Sequence, residues 1–255
     1  GGRVLLTIRE RDGRHRSLDR ILRQGVRFDT ASPDLRFAED AFVRLEGDDY
    51  RVVAAAGDAR VDLLVRPAPR RYFPPTDLGG EGLVSGYTVP ALFARATGTV
   101  CTPRCEPVSG AQAYHDHNWG TWRGVTWEWG SASDSALSLL YGVVRGDSTG
   151  TEGLFAYLVD GRGARGVFRP GPLRYTAMQT DAAEDGRTVN VPRAMEFDDP
   201  RRGLRVRIDV RAAHVTDTGA DSARRWFVQM RGIATVEERG RVVGRLPGFF
   251  ETYVD

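Results

Sequence analysis

Lysine is absent: every one of the 36 basic residues in the 255-residue chain is arginine. A phosphate loop with its lysine is therefore excluded, as are a lysine Schiff base and a kinase-type Lys–Glu pair. Cysteine is scarce. Cys101 and Cys105, in Cys-Thr-Pro-Arg-Cys, are too few for a structural zinc site. They read as two inert thiols near a hairpin turn, a local disulfide requiring export. No apolar run approaches the ~20 residues that span a bilayer, so stable membrane insertion is not expected. No leader is visible, and a cytoplasmic location is expected. The start at Gly1-Gly2 rather than Met predicts a trimmed N-terminus. Acid and base nearly balance, at net +2 without a basic block, so nucleic acid is not an expected partner.

What is present reads mostly as β-strand. Val4–Ile8, Ala41–Leu45, Tyr50–Val53 and Val61–Val65 are short and rich in branched side chains, with turn residues between them. The rhythm continues at Leu137–Val144, Gly153–Val159, Leu204–Val210, Trp226–Met230 and Ala234–Glu237. Such spacing predicts an all-β sandwich or barrel. One helix is expected over Ser17–Gln24, with Ser17 as N-cap and Gly25 after its end. Pro67–Pro75 reads as a loop inside the first unit. A weak repeat relates Gly98-Thr99-Val100 … Tyr114-His115-Asp116 to Gly232-Ile233-Ala234 … Phe249-Phe250-Glu251. Two tandem β domains, 1–118 and 119–255, would account for it.

Residues 113–130 hold four of the five tryptophans and two of the four histidines, which marks them as the segment to read for function. On a strand, Tyr114, Asp116 and Asn118 share one face and His115, His117 and Trp119 the other. Trp127 and Trp129 share a face and bracket Glu128. Apolar walls with a few polar groups are the usual make-up of a small-molecule cavity. Three readings compete. The aromatics fill a core, as most buried aromatics do. His115 and His117 ligate a metal, although Glu128 is too distant for a cupin-like pattern and His214 stands alone. Or a carboxyl walled by indoles, Asp116, Glu128 or Glu251, holds a proton near neutral pH and does acid–base work on an apolar ligand.

Tyr114-x-Asp116-His117-Asn118-Trp119-Gly120, followed by Trp127-Glu128-Trp129, resembles the lipocalin-like superfamily of bacterial carotenoid 1,2-hydratases and AttH-like proteins. Plant tocopherol cyclases have a similar Asn-Trp-Gly and paired-Trp strand. Gly248-Phe249-Phe250-Glu251-Thr252-Tyr253 resembles the ending of the AttH-like members, and Ser85–Val100 the strand pair before the family motif. The resemblance implies an all-β fold of two tandem lipocalin-like barrel or sandwich domains, with a hydrophobic substrate such as a polyene, polyketide or isoprenoid. Lipocalin-like relatives in natural-product pathways include Diels–Alder cyclases. In the carotenoid hydratases an acid directly follows the tyrosine at the position of Tyr141; here Gly142 stands there, which argues against hydration by that acid.

The expected function is a cyclase that closes a ring in such a chain. It would work by orientation alone or by acid–base assistance, without cofactor or metal. A hydratase of an isolated alkene and a non-catalytic lipophile carrier are the alternatives. The catalytic candidates are Tyr114, Asp116 and Glu128. The substrate-binding candidates are His117, Asn118, Trp119, Trp122, Trp127, Trp129, Tyr141 and Glu251. Arg123 reads as a solvated turn residue, with a carboxylate head group as its functional alternative. Oligomeric state is left open.

Overall fold

A computed structural model describes residues 1–9, 15–29, 32–78, 85–102, 104–120, 125–145, 153–183, 186–218 and 226–255. Its regular elements are all strands: β1 (Gly2–Arg9), β2 (His15–Leu22), β3 (Arg27–Phe28), β4 (Asp34–Ala38), β5 (Ala41–Glu46), β6 (Asp49–Ala56), β7 (Ala59–Pro67), β8 (Phe73–Leu78), β9 (Ser85–Cys101) and β10 (Cys105–Gly120). There follow β11 (Thr126–Ser133), β12 (Leu137–Arg145), β13 (Phe155–Asp160), β14 (Gly163–Phe168), β15 (Arg174–Ala182), β16 (Thr188–Asp199), β17 (Leu204–Asp217), β18 (Trp226–Glu238) and β19 (Arg241–Val254). The all-β expectation holds.

The chain forms two compact units, Gly1–Ala68 with Ala94–Tyr114, and Pro69–Phe93 with His115–Asp255. This differs from a division at residue 118, because 69–93 belongs with the second unit. The Pro67–Pro75 stretch, expected as a loop of the first unit, crosses this division: Pro67 ends β7, and Phe73–Pro75 begin β8 in the second unit. In that unit β3 to β7 run as antiparallel neighbours and β7 pairs the far part of β9. The expected helix over Ser17–Gln24 is instead β2, which pairs β1 with Leu6 opposite Leu18. Helix-compatible local residues lose here to cross-strand pairing. Cys101 and Cys105 form a disulfide across the β9–β10 turn, in place of the two thiols expected.

The second unit is built on nine strands in the order β14-β13-β12-β11-β19-β18-β17-β16-β15. Laid flat, eight interstrand spacings would separate the edges by roughly 38 Å. Yet edge strands β14 and β15 are joined by residues 169–173 alone, a connection that reaches at most about 20 Å. The sheet must therefore curl until its edges approach. The enclosed face carries the core, including Leu139, Tyr141, Phe197, Ile208, Val228, Met230 and Phe250. Each large side chain removed from water there contributes about 1.5–3 kcal/mol. β12 is buried at every position from Leu137 to Val144, unlike an ordinary barrel strand with one wet face. Its outer face is covered in part by 69–93: Arg71 reaches Ser138, and Phe73 stacks on Phe155 at 5.5 Å.

Candidate functional site

Strand alternation sets the site. Trp129 on β11 stands opposite Glu251 on β19 and opposite Gly142 on β12. All three therefore share the outer face of the curled sheet, and Trp127 joins them two residues along. Over this face sit Tyr87 from β9 and Asp116 and Asn118 from β10. Together with Val144 these side chains enclose a cavity of about 190 Å³.

Each acid in the cavity has a fixed partner. The Tyr87 hydroxyl donates to Asp116 Oδ2 at 2.8 Å. Glu251 accepts from Trp127 Nε1 at 2.9 Å and from Gln229 Nε2 at 3.2 Å. Burial pushes the Glu251 carboxyl above its ordinary range and the Asp116 charge adds to this, while the bonds from Trp127 and Gln229 pull the other way. Glu251 thus keeps its proton to higher pH than an exposed glutamate. The arrangement supplies a carboxyl of raised proton affinity, a second carboxyl and two indole faces in one small space.

Trp129 is the wall between this cavity and a larger one. Its ring meets Tyr87 edge-on at 4.2 Å and Phe155 at 5.7 Å. It lies across Gly142, where an added Cβ would come within 2.2 Å of its ring. That contact is the physical reason for glycine at this position. Gly142→Val is expected to displace the indole and cost about 1–3 kcal/mol through overpacking. Denaturant titration would give the cost, and the shift in tryptophan emission would report the displaced ring. On the far side of Trp129 and Val144 lies a cavity of about 800 Å³, floored by Phe73, Phe155 and Tyr157. Its volume is that of a pocket for a whole small molecule.

Of the expected site residues, Asp116, Asn118, Trp127, Trp129 and Glu251 converge on the smaller cavity. Glu128 does not. Alternation turns it to the enclosed face, where it is 3 % exposed and its Oε1 accepts from Tyr175 at 2.9 Å and Arg145 at 3.3 Å. Tyr175 is also 2.6 Å from Thr252 Oγ1. Tyr141 is core, between Phe197 and Phe250, and its hydroxyl has no hydrogen-bond partner among the described residues. Tyr114 ends the first unit and does not line the cavity. The rings of His117 and Trp119 lie 5.7 Å apart, tilted by 32°, with the Trp119 indole over Gly86. His115 is largely buried and its imidazole is pushed down, mainly by desolvation. Trp122 and Arg123 lie outside the described residues. Tyr87, Gln229 and the aromatic floor were missed. Ser85-Gly86-Tyr87 was noted only as part of a strand pair. Among the described residues no group of three or more His, Cys, Asp or Glu side chains is placed to hold a metal ion.

No family model and no curated protein matches the sequence. Solved structures do share the fold. An AttH-like protein from Nitrosomonas europaea superposes with a TM-score of 0.61 at 22% identity, over 95% of this chain and 76% of that one. Kievitone hydratase from Nectria haematococca gives 0.63 at 13%, over 94% and 76%. CghA gives 0.59 at 14%, over 99% and 80%, and has also been crystallised with Sch210972. The fold is the lipocalin-like one that the Asn118-Trp119-Gly120 and paired-Trp motifs suggested.

Proposed function

We propose that the protein is a cofactor-independent cyclase that folds an apolar polyene, polyketide or isoprenoid chain and closes a ring with acid–base assistance. The observation that carries this is the pair Asp116 and Glu251, walled by Trp127 and Trp129 in one small cavity. Glu251, whose hold on its proton is strengthened by burial, gives that proton to a carbonyl or alkene of the substrate. The indole faces stabilise the positive charge that develops. Asp116, held by Tyr87, takes a proton from the closed skeleton, so one proton enters and one leaves. Confinement supplies the remainder by removing the freedom of a flexible chain. Sharing a fold with CghA and with a hydratase is compatible with this reading without choosing the reaction.

The test is incubation with linear polyenes and isoprenoids followed by mass analysis. A product of unchanged mass with fewer double bonds is expected. Gain of one water would replace ring closure by hydration, and recovery of every bound ligand unaltered would leave a carrier.

A further inference from the structure

Four residues of the second unit stand in one row across the sheet: Glu251 on β19, Trp129 on β11, Gly142 on β12 and Phe155 on β13. The row has a fifth member. On β14, Val167 pairs Tyr157 and Phe168 pairs Ala156, so Arg169, the next residue, falls opposite Phe155. Four interstrand spacings separate Glu251 from Arg169, about 19 Å. The smaller cavity occupies the Glu251 end and the larger one runs on to Arg169.

The larger cavity is aromatic along its floor, and among the described residues its charged lining side chains are Asp77 and Arg169. The backbone N–H of Arg169 is used, donating to Asp199 Oδ2 at 3.1 Å. Its guanidinium has no ion pair or hydrogen bond among the described residues, although many other arginines of this chain are ion-paired to carboxylates. Asp77, on β8, lines the same cavity and also has no such partner among the described residues, so the carboxylate of a ligand would have to seat on Arg169 rather than beside it.

We propose that the larger cavity binds the non-reacting end of an elongated apolar acid, with Arg169 holding its carboxylate. A guanidinium suits this because its fork of donors matches both oxygens. The apolar stem would lie over Phe155 and Tyr157 and reach past Trp129, with the reacting carbons beside Glu251 and Asp116. The inference rests on the smaller cavity being the reacting end, and it adds the substrate class: a carboxylic acid, read by charge at the far end.

The test is binding of cis-parinaric acid, its methyl ester and the corresponding amine, followed by tryptophan quenching. The native protein is expected to bind the acid about tenfold more tightly than the ester, the effect of one charge-assisted hydrogen-bonded contact. Added salt should weaken the acid alone. Arg169→Gln should bring the acid to the level of the ester and leave ester binding within about twofold, which also shows that the variant is folded. Equal affinity for acid and ester in the native protein would overturn the proposal. So would tighter binding of the amine, or an acid preference that survives Arg169→Gln. The two readings fail separately. An Arg169-dependent acid preference without any turnover would sink ring closure only, and ring closure indifferent to Arg169 would sink the carboxylate subsite only.

Discussion

Glu251→Gln is expected to lower turnover by a factor of about 10²–10⁴, the usual worth of a positioned general acid, while ligand affinity changes little. Glutamine keeps one acceptor oxygen, enough for Trp127, while the Gln229 amide must turn its oxygen toward the new NH2, and it has no acidic proton to give. In the native protein the rate should be level while Glu251 is protonated and fall as pH rises through its raised value; the variant should lose that alkaline limb. Stability gives a readout independent of substrate. The folded carboxyl binds its proton more tightly than the unfolded one, so Glu251 loses stabilisation as pH climbs from the ordinary glutamate range through its folded value. The urea midpoint of the native protein should therefore drop between mildly acidic and neutral buffer by more than that of Glu251→Gln. If both lines fall in parallel, burial does not raise this group and it is not the acid.

Arg71→Met is expected to destabilise the second unit by about 1–3 kcal/mol for each buried acceptor it orphans, the Ser138 hydroxyl and the Asp134 carbonyl. Arg71 is 2 % exposed. Its Nε donates to Ser138 Oγ at 3.0 Å and one terminal nitrogen to the Asp134 carbonyl at 2.6 Å, while the other also bonds Ser138. Its charge lies 4.6 Å from the Phe93 ring. The Ser133 hydroxyl donates to the Leu92 carbonyl at 2.9 Å and accepts from Ser138, 2.8 Å away, and the Leu92 N–H returns to the Arg71 carbonyl. Methionine would fill part of the space and orphan these groups. Because the segment fixed by Arg71 also carries Phe73 and Tyr87, ligand affinity should fall with stability. Calorimetry together with a binding titration would check both. A loss under about 1 kcal/mol would mean that the cluster contributes no more than a surface contact.

The strands were legible because branched side chains and turn residues alternate at short intervals. The tryptophan strand was legible because spacing of two fixes a face. Glu128 shows the limit of that reading: being flanked by Trp127 and Trp129 in sequence puts it on the opposite face in space. Tyr87 could not be paired with Asp116 from sequence, since the bond joins residues 29 positions apart. Arg71 carried no local signal, for its partners lie on the β11–β12 turn. Gly142 read only as a missing acid; its role became visible once the Trp129 ring was seen to need its space.

The weak repeat has a physical counterpart. Gly98 and Gly232 occupy matching places on β9 and β18, where an added Cβ would stand 2.1 Å from the Asp62 carbonyl oxygen and 2.2 Å from that of Asp209. Each glycine thus admits a neighbouring backbone, and each precedes a hairpin whose returning strand carries an acid near its far end, Asp116 on β10 and Glu251 on β19. Doubling one such hairpin yields a matched couple of carboxyls without inventing either. What then needed to diverge was their company: a phenol for one, an indole and an amide for the other.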